Sequence, residues 1–363
     1  MIRLVKPYIE LSDVQHEFEE IFSSGWFTQG KFNAEFQESL SQYLGCKYVH
    51  LTTSATTALS LALRILDIQA GDEVIISDFS FPATANVVEE MGAIPVFADV
   101  SLENFNMLPD DLERKITNKT RAVVFVDAFG NLTNIDAIKS LCDKYQLPLI
   151  EDAACAIGSG HRSIKCGNIS DITCFSFHPR KLLTTGEGGA ITTNNSKLSE
   201  LLKIKLNHGA RQKDGKLDFI SYGYNYRMTE IQALMGLKQL INLDHIIKRR
   251  QVTLHQYVEA LSFLGFEPQV IDNNVNYNVQ SIVFKTPANC NRDELIKYLF
   301  QNNIESTIGT YCLSATTYYQ QRYHSVQPNA YWLQNNTITL PCYDKVPVDV
   351  ITKTVKMFLD TRR

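Results

Sequence analysis

The stretch YVHLTTSATTALSLALRILDI, residues 48–68, joins a short apolar run to a helical pattern through a turn rich in hydroxyl side chains. Similar apolar runs and helical patterns alternate from about residue 47 to residue 195. Strands that are apolar along their whole length and separated by helices are typical of a mostly parallel sheet covered on both faces. The sequence therefore predicts an α/β fold.

The apolar runs predict a sheet of seven strands. The helical patterns between them run from Ala55 to Ile68, from Ala83 to Met91 and from Ile135 to Tyr145. The runs that predict strands are YVHLTT, EVIIS, IPVFADV, RAVVFVDAF, LPLIEDAA, ITCFSF and GAITTNN.

The flanking segments predict two further parts. Residues 1–45 are interpreted as an N-terminal arm with one helix, and residues 46–240 as the large α/β domain. From Thr229 to about Gly265, apolar positions repeat at three and four residues, which predicts one long helix linking the domains. Strand and helix patterns after it predict a small C-terminal α+β domain, with the linking helix and this domain spanning residues 241–363.

Composition excludes several classes of protein. The formal charge of −4 and the pI near 6.1 provide no basic face for nucleic acid. The N-terminus has no apolar leader and no window approaches a membrane span, so we expect a cytoplasmic protein without a membrane partner. The eight cysteines form no CxxC pair and have no histidines at metal-ligand spacing, so we expect reduced thiols and no metal site.

Polar residues follow the predicted strands where a ligand is expected. Asp152 ends LPLIED, His178 follows ITCFSF, and Ser54 and Thr56 follow YVHL. Open parallel sheets bind ligands at the carboxyl ends of their strands. These side chains are therefore candidates for a binding site.

The residue types match the requirements of pyridoxal phosphate. The cofactor needs a lysine for its aldehyde, a carboxylate for its ring nitrogen, and backbone N–H groups with hydroxyls for its phosphate. Asp152 is the candidate carboxylate, and Lys181, 29 residues later in FSFHPRKLLTTGEGG (175–189), is the candidate amine. Taken alone, each side chain also has a structural reading, Lys181 as a solvated surface residue above all.

The other candidates are equally ambiguous from the residues alone. The hydroxyls of Ser54, Thr56 and Thr57 either cap the first helix or hold a phosphate there. Ser176 either serves the cofactor or is a strand hydroxyl, and Phe81 either stacks on the ring or belongs to the core.

Several segments occur in an order that resembles one family, the DegT/DnrJ/EryC1/StrS sugar aminotransferases. The resemblance extends from SSGWFTQGKFNAEF (23–36) to LPCY (340–343). The segments FSFHPRKLLTTGEGG and GYNYRMTE are its most specific parts. The others are SATTALSLAL, DFSFPATAN, VFADV, IEDAACAIGS and NHGAR.

The resemblance implies a fold-type I PLP-dependent transferase and assigns roles to residues. Lys181 would hold the cofactor aldehyde, Asp152 would pair with the ring nitrogen, and Phe81 would stack on the ring. Asn225 would reach the phosphate of a partner subunit, which implies a homodimer with shared active sites. The remaining expected cofactor contacts are Thr56, Ser176, the backbone of Ala55, and Cys155.

The chain departs from the family pattern at some of these positions. Ala55 replaces a glycine and Cys155 a glutamine that many members have, and Arg180 and Leu182 replace a threonine and an asparagine beside the lysine. Cys155 removes a side-chain amide expected near the cofactor's phenolic oxygen.

The substrates are less determined than the cofactor. The family implies L-glutamate as amino donor and a nucleoside diphosphate ketosugar as acceptor, in aminosugar biosynthesis. The IGTY run (308–311) favours a thymidine diphosphate (dTDP) deoxysugar. Candidate substrate residues are His178, Tyr311 and Arg227. Arg227 meets either a donor carboxylate or a structural ion-pair partner, and residues 306–323 form either a pocket wall or a surface loop.

Two alternative functions exist on this fold. Sugar dehydrases carry a histidine in place of the lysine, and inactive binding homologues are expected to lose the lysine or the aspartate. The presence of Lys181 and Asp152 favours the aminotransferase over both.

Overall fold

The computed structural model describes residues 1–361 of the chain. The strands among these residues belong to one large sheet and several small ones. In chain order they are β1 (Tyr48–Thr52), β2 (Glu73–Ser77), β3 (Phe79–Ser80), β4 (Ile94–Ala98), β5 (Thr120–Val126), β6 (Leu149–Asp152), β7 (Gly160–His161), β8 (Ile164–Lys165), β9 (Ile172–Ser176), β10 (Gly189–Thr193), β11 (Ala210–Lys213), β12 (Lys216–Phe219), β13 (Glu267–Pro268), β14 (Val275–Asn276), β15 (Ile282–Lys285), β16 (Thr307–Ile308), β17 (Tyr311–Cys312) and β18 (Thr337–Leu340).

The helices alternate with the strands of the large sheet and then dominate the second half of the chain. In chain order they are α1 (Gln15–Ser24), α2 (Lys31–Leu44), α3 (Ala55–Ile65), α4 (Ala83–Glu90), α5 (Pro109–Lys115), α6 (Ile135–Lys144), α7 (Ser196–Leu206), α8 (Glu230–Leu240), α9 (Leu243–Leu261), α10 (Arg292–Gln301), α11 (Thr317–Tyr323), α12 (Pro328–Asn336) and α13 (Val348–Asp360).

The main sheet has seven strands in the order β1-β10-β9-β6-β5-β2-β4. Neighbouring strands run parallel except β10, which is antiparallel to both β1 and β9. In the centre, Asp152 of β6 is in register with Val126 of β5 and Cys174 of β9. The predicted large, mostly parallel seven-stranded sheet is confirmed, and so is its composition from the seven apolar runs.

Successive side chains of the central strands pack on opposite faces of the sheet. Val124 and Ile150 belong to the core shared with α3 and α4, and Val123 and Leu149 to the core shared with α2 and α6. Because both faces are buried, these strands are apolar at consecutive positions. The alternation also decides which face each carboxyl group of β6 reaches.

The N-terminal segment was expected to contain one helix, and this was wrong. It contains α1 and α2, separated by Gly25 in the left-handed conformation (φ 67°) that ends α1. The first turn of α2 is held by Glu230, whose buried carboxylate accepts hydrogen bonds from the backbone N–H groups of Gly30 and Phe32, both at 2.8 Å. Phe36 of α2 is fully buried in the core of the sheet.

The single long helix predicted from Thr229 was also wrong. The helical pattern is divided into α8 and α9 at Ile241 and Asn242, and Asn242 has non-helical backbone angles (φ −102°, ψ 2°). Neither proline nor glycine marks this break, and Ile241 is exposed. The apolar period continues across it, so the sequence contains no local signal for the break.

The C-terminal region has its own core. Strands β13, β15, β18 and β16 form a four-stranded antiparallel sheet, against which α10 and α13 pack. The segment from β17 to α11 leaves this core and returns to the large sheet, where Tyr319 and Tyr323 lie against Phe97. Residues 362–363, at the end of the predicted C-terminal domain, lie outside the described residues.

The helices of residues 1–361 are relevant to the membrane prediction. None of them combines the length and the apolarity that crossing a membrane requires.

Candidate active site

Lys181 lies in the loop that joins β9 to β10. Its backbone N–H donates to the carbonyl of His178 at 2.8 Å, which closes a tight turn. The side chain is half-buried and its Nζ donates a hydrogen bond to the Sγ of Cys155 at 3.1 Å. The side chain of the predicted lysine therefore points toward the end of β6, because Cys155 lies three residues after Asp152, the last residue of that strand.

Two buried glutamines hold the Lys181 loop from outside. Gln280 accepts a hydrogen bond from the backbone N–H of the residue after Lys181 and donates one to the backbone carbonyl of the residue before it, both at 2.9 Å. Gln239 of α8 contacts Thr184 in the same way, accepting from its N–H at 3.1 Å and donating to its carbonyl at 2.5 Å. The lysine is thus positioned by side chains from two distant segments, neither of which was singled out from sequence.

Asp152 ends β6 and is buried on the face of the sheet that packs against α3 and α4. Its Oδ2 accepts a hydrogen bond from the hydroxyl of Thr84 at 2.7 Å, and its Oδ1 accepts one from the N–H of Ala154 at 3.2 Å. Burial raises the pKa of Asp152, while Thr84, Ala154 and the charge of Lys181 act to lower it. Thr84, which fixes the orientation of this carboxyl, was not predicted from any sequence pattern.

Cys155 differs from the other cysteines of the chain. It is partly exposed, whereas the other seven are buried. Its thiol occupies the position next to Lys181 Nζ. The structure therefore brings Lys181, Asp152 and Cys155 to one edge of the sheet.

The N-terminus of α3 lies at the same edge, after β1. Ser54 caps this helix by accepting from the N–H of Thr57 at 3.1 Å, and the hydroxyl of Thr57 bonds back to Ser54. Capping is thus the role of Ser54 and Thr57. The hydroxyl of Thr56 is exposed and has no hydrogen-bond partner within residues 1–361. The backbone N–H groups at Ala55 and Thr56, in the first turn of α3, are suited to an anion.

Gly189, at the start of β10, passes close beneath this helix terminus. A Cβ at this position would lie 2.5 Å from the carbonyl carbon of Ser54 and 2.7 Å from the N of Ala55. Only glycine allows β10 to pair with β1 there without displacing the turn. This explains the last glycine of the GEGG sequence.

Ser176 ends β9 and is buried, and its hydroxyl oxygen lies 3.4 Å from the N–H of His178. The His178 ring is partly exposed, with Nε2 3.9 Å from a carboxylate oxygen of Glu187. Burial lowers the pKa of His178, Glu187 acts to raise it, and the neighbouring charge of Lys181 also lowers it. His178 is therefore a polar group beside Lys181, and burial favours the neutral form of the histidine ring.

Phe81 and Tyr311 form an exposed aromatic pair beside Ser80, whose hydroxyl lies 3.1 Å from that of Thr84. Phe81 is 65% exposed, so it does not belong to the core. Its ring meets the ring of Tyr311 edge to face, with centroids 6.3 Å apart. Tyr311 comes from β17, which pairs with β3 next to Phe81. The segment 306–323 therefore lies against β3, directly after strand β2 of the large sheet, at this point.

Asn225 and Arg227 are separate from the lysine cluster in this subunit. Asn225 is exposed and pairs through its backbone with Asn207. Arg227 donates to the Oδ1 of Asn207 at 3.3 Å and lines a groove of about 590 Å³ beside the edge strand β1. Within residues 1–361 Arg227 forms no ion pair, so the structural ion pair considered from sequence is not found there.

A second buried group of titratable side chains lies on the opposite face of the sheet. Asp127, Glu151 and Cys166 have ligand-type atoms within 4.8 Å of one another, and all three are fully buried. Burial and the nearby Glu151 raise the pKa of Asp127 well above its ordinary value. One oxygen of Asp127, Oδ1, has no hydrogen-bond partner in the described part of the chain. No sequence pattern predicted this group.

The residues at the sheet edge that carries Lys181 and Asp152 fit pyridoxal phosphate. Asp152 is a buried carboxyl whose hydrogen-bond donors are neutral, so a protonated ring nitrogen would supply its missing positive partner. Thr56 and the first turn of α3 offer unused donors to a phosphate. Phe81 is an aromatic ring exposed where a flat cofactor would need one.

The chain is similar to known proteins over nearly its whole length. Residues 9–358 match the DegT/DnrJ/EryC1/StrS aminotransferase family. A GDP-perosamine synthase of Vibrio cholerae is 32% identical over 93% of this chain and 91% of its own. PseC of Helicobacter pylori, an aminotransferase in the biosynthesis of pseudoaminic acid, has a TM-score of 0.93 and 28% identity, with 99% of each chain covered.

The comparisons also bear on the cofactor. A sugar aminotransferase described as putative, Spr1654 of Streptococcus pneumoniae, has been solved in PMP and PLP forms. The PMP form has a TM-score of 0.95 and 27% identity and covers 100% of both chains. The PLP form has a TM-score of 0.94 and 28% identity, and covers 100% of this chain and 99% of its own.

Proposed function

We propose that this chain, which belongs to the DegT/DnrJ/EryC1/StrS aminotransferase family, transfers an amino group from L-glutamate to a keto-deoxysugar carried on a nucleoside diphosphate. It is a sugar aminotransferase that depends on pyridoxal 5'-phosphate. The observation that carries the proposal is the meeting of Lys181, Cys155 and Asp152 at one sheet edge, opposite the free donors of α3.

The residues divide the work as follows. When bound, pyridoxal phosphate supplies an aldehyde that can carry the amino group and a ring that withdraws electrons from the reacting carbon. Lys181 Nζ holds the aldehyde in the resting enzyme. Asp152 keeps the ring nitrogen protonated, and Thr84 orients Asp152 for this. The turn at Ala55 and Thr56, with Ser176, holds the phosphate, and Phe81 covers the ring.

Lys181 has a second task during the reaction. With glutamate bound in place of the lysine, the free Nζ would remove the proton from the α-carbon of glutamate and return it to the cofactor carbon next to the amino nitrogen. In the second half-reaction the same nitrogen would take a proton from that carbon and deliver it to the sugar carbon that receives the amine. Proton transfer by a positioned side chain contributes roughly 10²–10⁴-fold to rate. The Gln239 and Gln280 contacts support this role, because they fix the loop that carries the lysine.

The second subunit is part of the proposal. Asn225 is exposed and makes no hydrogen bond to the lysine cluster of its own chain within residues 1–361, which supports a contact with the phosphate of a partner. The active unit would then be a homodimer with two shared sites. Arg227 faces a groove rather than the lysine in this subunit, so we propose that any contact it makes with the donor carboxylate is also across the dimer.

The acceptor is a sugar nucleotide, and two observations favour different bases. The GDP-perosamine synthase among the relatives favours a guanosine handle, whereas the IGTY run of this chain favours thymidine. We propose the thymidine diphosphate keto-deoxysugar, with His178 and Tyr311 as contacts. The aminated product would enter aminosugar or surface polysaccharide biosynthesis.

Borohydride trapping tests the proposal. The protein is incubated with pyridoxal phosphate, reduced, digested and mapped by mass spectrometry, with a parallel sample given L-glutamate before reduction. We expect a phosphopyridoxyl mass on Lys181 that disappears after glutamate, and no such mass in Lys181→Ala. A panel of dTDP-, UDP- and GDP-linked ketosugars then identifies the acceptor. An adduct at Lys181 that persists with glutamate would reject glutamate as the donor.

A further inference from the structure

The segment that carries Tyr311 crosses from the C-terminal sheet to the edge of the active site. Tyr311 and Cys312 pair with Ser80 and Phe79 of β3, and the hydroxyl of Thr310 donates to the carbonyl of Ser80 at 2.9 Å. This two-residue ladder is short, and two-stranded pairings of this length are marginal on their own. Another contact must therefore hold the segment in place.

Asp78, the residue between β2 and β3, provides that contact. Its carboxylate accepts from the N–H of Ser314 at 2.7 Å, from the hydroxyl of Ser314 at 2.6 Å and from the thiol of Cys312 at 3.1 Å. Its backbone carbonyl accepts from the N–H of Leu313 at 2.9 Å. One fully buried side chain thus binds three donors of a segment more than 230 positions away in sequence.

The charge state of Asp78 makes these contacts important. The pKa of Asp78 is raised to about 6, mainly by burial; the hydrogen bonds from Ser314 and Cys312 act to lower it, and the nearby Asp99 acts to raise it. The carboxyl is therefore ionised at neutral pH. Within residues 1–361 it forms no ion pair, so neutral donors from the Tyr311 segment alone compensate a buried charge. Removing those donors would leave the charge unsatisfied, which is costly.

We propose that Asp78 is a positioning residue for the acceptor sugar nucleotide. Its hydrogen bonds hold residues 309–316 in place and thereby keep the ring of Tyr311 against the ring of Phe81. The inference rests on the proposed function for the identity of the acceptor. Asp78 itself is fully buried and touches no substrate. Its effect reaches the substrate through Tyr311, which is 42% exposed, and through the orientation of the aromatic pair.

The test separates the two half-reactions. In Asp78→Asn, an amide with two N–H donors faces groups that are themselves donors, so the segment should loosen. We expect the KM for the ketosugar nucleotide to rise roughly tenfold or more, as for loss of hydrogen bonds to a charged group. The rate of the glutamate half-reaction, followed by the spectrum of the bound cofactor, should stay within about twofold. Hydrogen exchange of the peptide 309–316 should become faster.

Further variants keep the inference testable if Asp78→Asn folds poorly. Ser314→Ala removes the hydroxyl that makes the shortest hydrogen bond to Asp78, and it should also raise the KM for the ketosugar nucleotide. Combined with Tyr311→Ala, Asp78→Asn should add little, since both changes act on one wall. Asp110→Asn, an exposed carboxyl outside the site, is the matched control and should change neither KM nor exchange.

The outcomes distinguish the inference from the proposed function. An unchanged ketosugar KM in both Asp78→Asn and Ser314→Ala, or equal losses in both half-reactions, would overturn the positioning role. If the wild-type protein fails the glutamate half-reaction, the proposed donor is wrong. In that case an unchanged rate of hydrogen exchange in residues 309–316 of Asp78→Asn would still show that Asp78 does not hold this segment in place.

Discussion

Asp152 and Glu151 are consecutive carboxyl groups on β6 that face opposite sides of the main sheet. Asp152 contacts Thr84 of α4 and feels the charge of Lys181. Glu151 accepts from the hydroxyls of Ser170 and Thr173 at 2.9 and 3.0 Å and lies beside a second carboxyl, Asp127. Both are almost completely buried. The difference lies in the sign of the nearest titratable neighbour.

This contrast teaches how one strand serves two purposes. On the Asp152 face, the hydrogen-bond donors to the buried carboxyl are neutral, and the amine of Lys181 lies nearby. This arrangement is typical of functional sites. On the Glu151 face, Asp127 and Glu151 form no ion pair within the described chain, and like charges cannot both persist in a dry interior. We therefore interpret Asp127 as a neutral carboxylic acid with a structural role.

The largest expected effect that would sharpen this contrast is at Lys181. Lys181→Ala should lower turnover by about 10²–10⁴-fold, because it removes both the group that holds the cofactor and the group that moves the proton. Initial rates with glutamate and the ketosugar measure it. Lys197→Ala, at an exposed position of α7, is the control and should retain wild-type activity. Equal losses in both variants would remove the assignment.

The next effect compares the two faces directly. Asp152→Asn should weaken cofactor binding by about 2–5 kcal/mol, since it leaves the ring nitrogen without its buried counter-charge. Glu151→Gln should leave cofactor affinity nearly unchanged, because its side chain points to the other face. Titration of the apoenzyme with pyridoxal phosphate, followed by absorbance, gives both constants. Similar affinity losses in the two variants would mean that the faces are not independent.

A smaller effect should appear in the pH dependence of stability. The raised pKa of Asp127 means that the folded protein keeps a proton that the unfolded chain loses above about pH 4. Wild-type stability should therefore fall as pH rises above this value, by at most about 1.4 kcal/mol per pH unit from this group. Asn at this position does not titrate.

Urea unfolding of wild type and Asp127→Asn at pH 5, 6.5 and 8 checks this. We expect the variant to gain stability relative to wild type as pH increases. Asp110→Asn should follow the wild-type curve, because Asp110 is exposed. Parallel curves for wild type and Asp127→Asn would mean that Asp127 is ionised in the folded state, against our interpretation.

The smallest effect is expected at Cys155. Cys155→Ala removes one hydrogen bond to Lys181 Nζ, which should change turnover by roughly 2–10-fold, in line with about 0.5–1.5 kcal/mol for a single bond. Cys155→Ser keeps a polar partner and should lie closer to wild type. Steady-state rates of the two variants decide it. A loss as large as that of Lys181→Ala would make the thiol essential rather than supporting.

The strand pattern was sufficient to find the centre of the candidate site. Asp152 and Lys181 each follow an apolar run, and parallel strands bring such ends together without further information. The confirmed strands EVIIS and ITCFSF lie within one residue of their predicted limits. The residue types at these ends match a cofactor that needs an amine and a carboxylate, and the family resemblance of the surrounding segments then favoured pyridoxal phosphate.

Other parts depended on distant contacts that no local pattern contains. Gln239, Gln280 and Thr84 position the lysine and the aspartate, yet each is an ordinary polar residue in sequence. The same holds for Asp78, whose partners are more than 230 positions away. The division of the long helix into α8 and α9 also left no proline or glycine as a signal.

The sequence by itself determined the fold class and the order of the strands along the chain, and through the family resemblance it gave Lys181 and Asp152 as the candidate cofactor residues. Periodicity, residue type and motif order are properties of the sequence alone, and they suffice for these predictions. Tertiary structure alone decided which polar side chains satisfy them, that Tyr311 meets Phe81, and that Glu151 meets Asp127. The physical reason is that buried charges take their partners from whichever segments the crossover connections bring close, and distance in sequence does not predict this.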